Sequence, residues 1–420
     1  MAYVIKSARD GALQLLHHVL AKQKRLSELA PLLQPLEPRD RAAAQRLASD
    51  VLRHLDRVDR VLKPYLNRKP HDQVRNILRL GAVEICMGGT SHGVVNELVN
   101  LCGANKRTLP AKGMVNAILR KMEGEGRTRW DQMGAARLPA WLRQPLQSAW
   151  GAKHVGAMER AFAKTPPLDL TAKGDAAELA AETDGTLLPT GTVRLAQGGQ
   201  VSNLPGYDEG AFWVQDAGAA LPVKLLGDVA GLDVLDMCAA PGGKTLQLAA
   251  LGANVTALDL SQARLDRVEE NLKRTGLNAK IVAGDALAHQ GTYDAILLDA
   301  PCSATGTLRR HPDLPHIHEG ERIGALIGLQ SDMIDYALSL LKPGGKLVFA
   351  TCSLIPDEGE CQVEEALARH KGLVATLPDF DWIEDGWRSD EGGLRLRPDF
   401  WADRGGIDGF YMALLHHNLE

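Results

Sequence analysis

The chain has 420 residues, of which 45% are hydrophobic and 24% are charged. This length exceeds that of one typical core and predicts two or three domains, while the composition is ordinary for a soluble globular protein. The formal net charge of −4 excludes a global electrostatic attraction to nucleic acid. The sequence contains no apolar run long enough for a transmembrane helix, so we expect no membrane association.

Cysteine usage and the N-terminus indicate a reducing compartment. The first stretch of the chain lacks an apolar segment followed by a small-residue cleavage site, so we expect no secretory signal. The cysteines form no C-x-x-C pair and no recognisable disulfide framework. We therefore expect free thiols in a cytoplasmic protein, which we also expect to be monomeric. The cysteines are Cys86, Cys102, Cys238, Cys302, Cys352 and Cys361.

Residues 1–130 have the apolar spacing of helices and predict an all-α domain. A long helical pattern from residue 39 to 66 meets Pro64, which we expect to interrupt it. Further helical runs cover residues 71–87 and 111–122, and the polar, glycine-containing stretch 123–137 predicts a connector.

Basic residues concentrate between Leu101 and Arg129, against only Glu123 and Glu125. Such a run is most simply a solvated helical face, and it is also what a phosphate-contacting patch looks like. The sequence leaves both interpretations open. The basic residues are Lys106, Arg107, Lys112, Arg120, Lys121, Arg127 and Arg129.

Residues 131–215 predict a small α+β connecting domain. A helical pattern covers residues 137–164 and ends before Pro166 and Pro167. Short apolar runs at 168–172, 185–195 and 210–216 are typical of strands, and residues 175–183 are typical of a helix.

Residues 216–420 alternate strand and helix patterns. Candidate strands cover 233–238, 254–260, 280–286, 293–300 and 346–353, and helical runs cover 243–252, 261–276 and 324–345. This alternation predicts an α/β domain with a parallel sheet covered on both faces. Ligands of such sheets bind outside the carboxyl ends of the strands.

The stretch DMCAAPGGKT, residues 236–245, resembles a phosphate-binding P-loop only superficially. That motif needs glycine at its first position, where the backbone bends tightly around phosphates, and Cys238 occupies the place here. A nucleoside triphosphatase is therefore disfavoured. Pro241-Gly242-Gly243 still lets the backbone approach a ligand closely.

Four aspartates end consecutive candidate strands: Asp236, Asp259, Asp285 and Asp299. One such residue could be a simple turn or helix cap, but four at neighbouring strand ends favour a bound nucleoside. The loop lacks the three glycines that a dinucleotide requires. We therefore expect S-adenosylmethionine, an adenosine compound with a short charged tail.

Two cysteines lie at strand ends where the ligand should bind: Cys302 just past the fourth candidate strand, and Cys352 at the end of the fifth. A cysteine thiolate is a nucleophile able to add to C6 of a pyrimidine, which makes C5 electron-rich enough to accept a methyl group. The adduct must then lose its C5 proton and release the enzyme. Cys86, Cys102 and Cys361 are interpreted as ordinary small apolar residues.

The stretches DMCAAPGGKT, DAPCSATG (299–306), RRHPD (309–313) and ATCS (350–353) resemble the signature motifs of the Sun/RsmB family of RNA cytosine-5 methyltransferases. The likeness covers most of residues 137–420. The N-terminal helices, with GMVNAILRKM at 113–122, resemble the NusB-like RNA-binding domain of bacterial members. The resemblance implies three parts: a NusB-like domain (1–130), a small α+β domain (131–215) and a class I, Rossmann-like methyltransferase domain (216–420).

The resemblance also implies roles for individual residues. Cys352 would attack C6 of the cytosine, Cys302 would assist elimination, and Asp299 would contact the polar edge of the base beside the cofactor. The substrate would be RNA, namely 16S ribosomal RNA or an early small-subunit particle, and no metal is required. The S-adenosylmethionine site would comprise Cys238, Ala239, Ala240, Pro241, Gly242, Gly243, Lys244, Asp259, Asp285 and Asp299.

The chain departs from the family pattern at two places. LPHIHEGE follows RRHPD where members carry Lys-Trp and basic residues, and LDLTAK (168–173) stands where an Arg- and Asn-containing strand is usual. The first departure places two histidines and two acidic residues where the usual pattern has basic ones. Because no Cys or carboxylate cluster accompanies His311, His316 and His318, we interpret them as solvated loop residues and not as metal ligands.

Three alternatives compete with this interpretation. One is an RNA-binding assembly factor without turnover, which the two cysteines and the intact loop disfavour. Another is a DNA cytosine methyltransferase, in which the cysteine of Pro301-Cys302 would be the nucleophile and Cys352 would not be needed. An amino-group methyltransferase would carry an Asp/Asn-Pro-Pro-aromatic motif, which Asp299-Ala-Pro-Cys302 is not.

Overall fold

The computed structural model describes residues 5–196, 199–317, 320 and 322–418. Its helices are α1 (Ala8–Lys22), α2 (Pro38–Arg53), α3 (Leu55–Leu62), α4 (Asp72–Cys86), α5 (Ser91–Ala104), α6 (Lys112–Lys121), α7 (Arg127–Gln132), α8 (Ala140–Phe162), α9 (Ala176–Glu182), α10 (Leu221–Leu225), α11 (Gly243–Ala250), α12 (Gln262–Thr275), α13 (Leu314–Ile317), α14 (Ile323–Ser339) and α15 (Glu360–Arg369).

The strands are β1 (Leu168–Ala172), β2 (Thr186–Leu187), β3 (Val193–Leu195), β4 (Phe212–Val214), β5 (Asp233–Met237), β6 (Asn254–Asp259), β7 (Lys280–Ala283), β8 (Tyr293–Asp299), β9 (Leu341–Thr351), β10 (Leu373–Thr376), β11 (Leu394–Leu396) and β12 (Phe410–His417).

The chain divides into two compact units. The first contains residues 1–165 together with residues 308–321, and the second contains residues 166–307 and 322–420. The three-part division at residues 130 and 215 stays a prediction. What the sequence pattern did not reveal is that residues 308–321, which follow the Cys302 loop in the chain, group with the helices.

The helical unit contains α1–α8 and α13. Its helices bury apolar stripes, as on α1, where Leu15, Leu16 and Val19 are buried and Ser7 caps the N-terminus by accepting from the Asp10 amide. The break in the long predicted helix falls at His54, and α3 ends before Pro64. The predicted connector at 123–137 was largely wrong, because Met122–Gly126 form a short π-helix that continues into α7.

Residues 308–317, which we call the strap, are anchored within the helical unit by polar contacts. The guanidinium of Arg53 donates to the carbonyl of Arg309 at 2.8 Å, and the Asp313 carboxylate accepts from the Leu26 amide at 2.9 Å. His316 Nε2 lies 3.1 Å from the carbonyl of Leu52. The interpretation of His316 as a solvated loop residue is therefore wrong. His311 is exposed, and His318 lies outside the described residues.

The second unit begins with an antiparallel sheet of order β2-β3-β1-β4. A buried ion pair joins two of its strands: Arg194 donates through Nε and Nη2 to the two carboxylate oxygens of Asp169, each at 2.7 Å. Arg194 also donates through Nη1 to the carbonyls of Arg404 and Gly406. Asp169 belongs to the stretch LDLTAK, one of the two places where the sequence departs from the family pattern. That stretch therefore contributes an ion pair that stabilises this sheet.

The larger sheet has the order β10-β12-β9-β8-β5-β6-β7, and β11 pairs with β12. Strands β9, β8, β5, β6 and β7 are parallel, as predicted. The pairings of β12 with β9, β10 and β11 are antiparallel, so the predicted parallel sheet is extended by an antiparallel part that the sequence pattern did not reveal. Residues 341–345, predicted as the end of a helix, are the start of β9.

Alternate residues of these strands face opposite cores, as the pleat requires. Val234, Leu297 and Val348 belong to one buried cluster. Their chain neighbours Leu235, Leu298 and Phe349 belong to the other. Burial on both faces fixes the register of the strands. The register in turn determines where each strand ends along the edge of the sheet. No helix among the described residues is long and apolar enough to cross a membrane.

Candidate active site

The loop after β5 turns sharply to reach α11. Cys238 has a φ of +69° and Gly242 a φ of +103°, a region that L side chains rarely adopt. A Cβ on Gly242 would also lie 3.1 Å from Val268, so glycine is required there. Helix α11 begins at Gly243, and its N-terminal N–H groups therefore point toward the carboxyl end of the sheet.

Asp236 lies at the base of this loop and is fully buried. One carboxylate oxygen accepts from the Thr245 hydroxyl at 2.5 Å, while the other oxygen has no hydrogen-bond partner among the described residues. Burial in this apolar position raises the pKa of Asp236 to about 7. An unpaired buried oxygen is costly for the fold, and a polar ligand group could satisfy it.

Asp259 and Asp285 have different environments. Asp259 is buried and accepts from the Ala240 amide at 3.1 Å and the Ser261 amide at 3.0 Å, which ties the end of β6 to the first loop. Asp285 is exposed and accepts from the Leu287 amide at 3.0 Å, capping a short turn. Both residues therefore also perform the turn and capping roles that sequence reasoning weighed against ligand binding.

Lys244 and Asp299 form an ion pair of 2.7 Å between α11 and the end of β8. Burial alone would lower the pKa of the Lys244 ammonium, but the carboxylate of Asp299 outweighs it and the pKa is raised. Lys244 therefore stays charged. The pair holds one oxygen of Asp299, and the Asp299 side chain keeps an exposed fraction of 29%, so the carboxylate is accessible to a ligand.

The two cysteines meet at neighbouring strand ends. Cys302 Sγ lies 3.5 Å from Cys352 Sγ, within reach of a hydrogen bond between the sulfurs. That hydrogen bond, and then burial, raise the pKa of Cys302 well above its ordinary value. The pKa of Cys238 is also raised, to about 12, by burial and the surrounding carboxylates. Cys238 is therefore not an activated nucleophile.

The loops carrying the two cysteines are tied to each other and to β12. The Gly306 amide donates to the carbonyl of Cys352 at 2.9 Å, and the Gly409 amide donates to the carbonyl of Gly306 at the same distance. A Cβ on Gly306 would lie 1.9 Å from the Gly409 oxygen, so only glycine fits. The three backbones thus hold the cysteines in a fixed place.

Sequence reasoning missed two features near these residues. Glu358 is buried and its carboxylate contacts Ser303 and Ser353, the residues that follow the two cysteines. Leu260, directly after Asp259, leaves 77% of its surface exposed. An acidic residue after the ATCS motif and an apolar residue after a strand-end aspartate were visible in the sequence, but nothing in the pattern indicated their burial or exposure.

The described residues contain no group of three or more His, Cys, Asp or Glu side chains placed to hold a metal ion. The site's polar groups are carboxylates, one ammonium and thiols. They lie at the carboxyl ends of β5, β6, β8 and β9, where a parallel sheet presents its ligand-binding edge.

Comparison with known proteins agrees with this geometry. Residues 224–416 match the family described as 16S rRNA methyltransferase RsmB/F, and residues 6–124 match the NusB family. The ribosomal RNA small subunit methyltransferase B of Vibrio vulnificus is 34% identical, over 97% of this chain and 99% of its own. The protein of the same name from Escherichia coli O1:K1 is 32% identical, over 98% of each chain.

The chain belongs to the ribosomal RNA small subunit methyltransferase B family. The predicted family and fold class are thereby confirmed: a NusB-type helical domain precedes a Rossmann-like methyltransferase fold.

Solved structures support the fold. The crystal structure of PH0851 superposes with a TM-score of 0.74 at 22% identity, over 97% of this chain and 98% of that chain. A methyltransferase homolog from Pyrococcus horikoshii gives a TM-score of 0.56 at 26% identity, over 66% of this chain and 94% of that one. The second likeness extends over two thirds of the chain, consistent with a shared methyltransferase fold.

Proposed function

We propose that this protein transfers a methyl group from S-adenosylmethionine to C5 of a cytosine in RNA, through a covalent bond between Cys352 and C6. The observation that carries the proposal is the 3.5 Å separation of two thiols at the ligand-binding edge of a methyltransferase fold. Family membership supports methylation of RNA, and the paired thiols support C5 of a pyrimidine as the atom that is methylated.

The residues around the first loop fit S-adenosylmethionine, which when bound would supply an electrophilic methyl group on its sulfonium. The unpaired oxygen of buried Asp236 can accept from a cationic amine. The accessible face of Leu260 can lie against an adenine ring. Asp259 keeps lone pairs for a ribose hydroxyl, while exposed Asp285 is the candidate for the adenine end of the site.

The environment of the cysteines supports different roles for them. The hydrogen bond with Cys352 and burial raise the pKa of the Cys302 thiol, which makes Cys302 a poor nucleophile in the free enzyme. Cys352, one hydrogen bond away, is then the sulfur that forms a bond to C6. After methyl transfer, Cys352 is bonded to C6 and its hydrogen bond no longer raises the pKa of Cys302. Cys302 can then lose its own proton to solvent and take the C5 proton as a thiolate, and the electron pair of the C5–H bond expels the Cys352 sulfur.

The same observation weighs against the DNA-type arrangement, in which Cys302 would attack. A buried thiol with a raised pKa would have to lose its proton beside another thiol and the carboxylate of Glu358. An assembly factor without turnover would have no need of this paired-thiol geometry. Lys244 and Asp299 complete the site, with Asp299 able to accept from the N4 amino group of cytosine.

The substrate we propose is 16S ribosomal RNA, free or in an early small-subunit particle, met in the cytoplasm. The names of the relatives and of the matching family point to this RNA. The helical unit would supply phosphate contacts through its basic stretch, in which Lys106, Arg107 and Arg120 are exposed.

Bisulfite sequencing of ribosomal RNA from cells with and without the gene tests the proposal. One cytosine should resist conversion only when the gene is present, and it should become convertible when the gene carries Cys352→Ala. A ribosomal RNA with identical conversion in all three strains would contradict the proposed substrate. In vitro transfer from S-adenosylmethionine to transcribed RNA would then show whether the activity itself is absent.

A further inference from the structure

Glu358 is a fully buried carboxylate that the proposed chemistry does not use. It lies at the end of the short turn Pro356–Glu358, just after β9, with an exposed fraction of 0%. A buried carboxylate is tolerated only when hydrogen bonds replace its hydration. The partners that satisfy Glu358 therefore show what the residue holds in place.

Those partners come from both cysteine loops. One carboxylate oxygen accepts from the Ser303 amide at 2.9 Å and from Gln330 Nε2 at 3.2 Å. The other accepts from the Ser353 hydroxyl at 2.6 Å and from the Ser303 hydroxyl. Ser303 follows Cys302 and Ser353 follows Cys352, so one side chain ties the two loops together.

Neighbouring contacts fix the carboxylate itself. Gln330 also donates to the carbonyl of Pro301 at 2.8 Å, and the Thr351 hydroxyl donates to the backbone carbonyl of Glu358 at 2.8 Å. Arg395 donates to the carbonyl of Ser353 and is ion-paired with Glu360. Glu358 thus lies in a network braced by β9, α14 and β11.

We propose that Glu358 is a positioning residue that sets the distance between the two thiols and, through its buried charge beside the Ser303 amide, opposes a second negative charge in the Cys302 loop. This inference rests on the proposed function for its catalytic meaning, while its effect on the thiols can be measured without RNA. The hydrogen bonds from Ser303 and Ser353 to the carboxylate form a bridge that positions the thiols, because each serine is the next residue after a cysteine. The negative charge of the carboxylate produces the electrostatic effect on the Cys302 loop.

The charge argument follows from what faces Cys302. The Glu358 carboxylate accepts from the Ser303 amide, one peptide unit from Cys302. The hydrogen bond with Cys352, burial and the charge of Glu358 raise the pKa of Cys302, and a hydrogen bond with the Ala304 backbone lowers it. Removing the charge of Glu358 should therefore make the Cys302 thiolate easier to form, whereas a group with a purely structural role would leave its titration unchanged.

Two substitutions separate the bridge from the charge. Glu358→Gln keeps the length of the side chain, and the serine hydroxyls can turn to accept from its amide, so the bridge survives without charge. Glu358→Ala removes both. Asp357→Asn is the matched control, because Asp357 is the neighbouring carboxylate and is exposed.

The first measurement is the pH dependence of iodoacetamide alkylation of Cys302, followed by peptide mass spectrometry on the full chain without RNA. In Glu358→Gln the rate profile should move to lower pH by about half a unit or more, and in Asp357→Asn it should not move. An unchanged profile in Glu358→Gln would overturn the charge effect. This result does not depend on whether the protein methylates cytosine.

The second measurement is methyl transfer to RNA at saturating S-adenosylmethionine. Glu358→Ala should lower kcat by about 100-fold with KM for RNA within about threefold, and Glu358→Gln should restore a large part of the loss. A Glu358→Ala variant with wild-type kcat would overturn the positioning role. If the alanine variant fails to fold, a Glu358→Gln variant with both wild-type kcat and an unchanged alkylation profile overturns the proposal. If the wild-type protein transfers no methyl group, the proposed function fails and the alkylation result still stands.

Discussion

Replacing Asp236 with asparagine should stabilise the second unit at alkaline pH and weaken cofactor binding. The side chain is fully buried, one of its oxygens is unpaired, and its pKa rises from 3.8 to about 7 in the folded protein. Because the folded state binds this proton more tightly than the unfolded state does, the stability of the wild-type protein falls as pH rises between those two values. Asparagine keeps an acceptor for Thr245 and carries no charge.

The magnitude follows from the two pKa values. The raised pKa of Asp236 costs the folded protein about 2 kcal/mol at pH 5, where the folded side chain is still protonated, and about 4 kcal/mol at pH 8, where it is ionised. The stability gap between Asp236→Asn and wild type should therefore widen by about 2–3 kcal/mol over that interval. Hydrogen exchange of β5, a buried central strand, reports the free energy of unfolding of this unit.

The control is Asp285→Asn, which removes an exposed carboxylate at another strand end. It should show no such pH-dependent gap. A gap between Asp236→Asn and wild type that is the same at pH 5 and pH 8 would refute the reasoning, because it would mean that Asp236 does not titrate in that range. Calorimetry should show that Asp236→Asn binds S-adenosylmethionine more weakly than wild type, since its amide does not attract a cationic amine as a carboxylate does.

Other predictions test the frame around the site. Neutralising Lys106 and Arg107 should reduce the slope of the logarithm of the RNA-binding constant against the logarithm of salt concentration by about 1.5. An unchanged slope would mean that the basic stretch is only a solvated helical face. Arg194→Met should destabilise the second unit by about 3–5 kcal/mol in denaturant unfolding, because it leaves Asp169 buried and charged; a loss below about 1 kcal/mol would contradict this. Asp259→Ala should weaken S-adenosylmethionine binding in calorimetry while the variant stays folded, and equal affinity would remove Asp259 from the cofactor site.

Much of the second unit could be predicted because its strands are buried on both faces. Continuous apolar runs such as residues 293–299 and 347–351 mark central parallel strands, and the residue after each strand then has to lie at the ligand edge. The convergence of Asp236, Asp299 and the two cysteines follows from that rule alone. The individual role of each residue stays a prediction.

The antiparallel part of the sheet could not be predicted in the same way. Strand β12 contains residues 410–417 and pairs with β9, β10 and β11, of which only β11 is close to it in the sequence. Its position depends on long-range packing and leaves no local signal. The strap at 308–317 illustrates the same limit, since it lies among the helices through contacts with distant residues, such as those of Arg53, Leu26 and Leu52.

Glu358 shows why charge is a poor guide to position. A glutamate in the acidic stretch PDEGE would ordinarily be solvated, and its neighbour Asp357 is exposed. Glu358 is buried because three donors from the two cysteine loops and one from Gln330 of α14 surround its carboxylate. Only the folded chain brings those donors together.

The assignment of the two cysteines is the central claim, and one denaturing gel with radiolabelled RNA tests it most directly. Cys352→Ala should bind cofactor yet form no covalent adduct and transfer no methyl group, since the attacking sulfur is gone. Cys302→Ala should still attack and methylate but fail to release, so it should accumulate as a protein–RNA adduct that survives denaturation. An adduct trapped with Cys352→Ala and absent with Cys302→Ala would contradict the account, because Cys302 would then be the nucleophile.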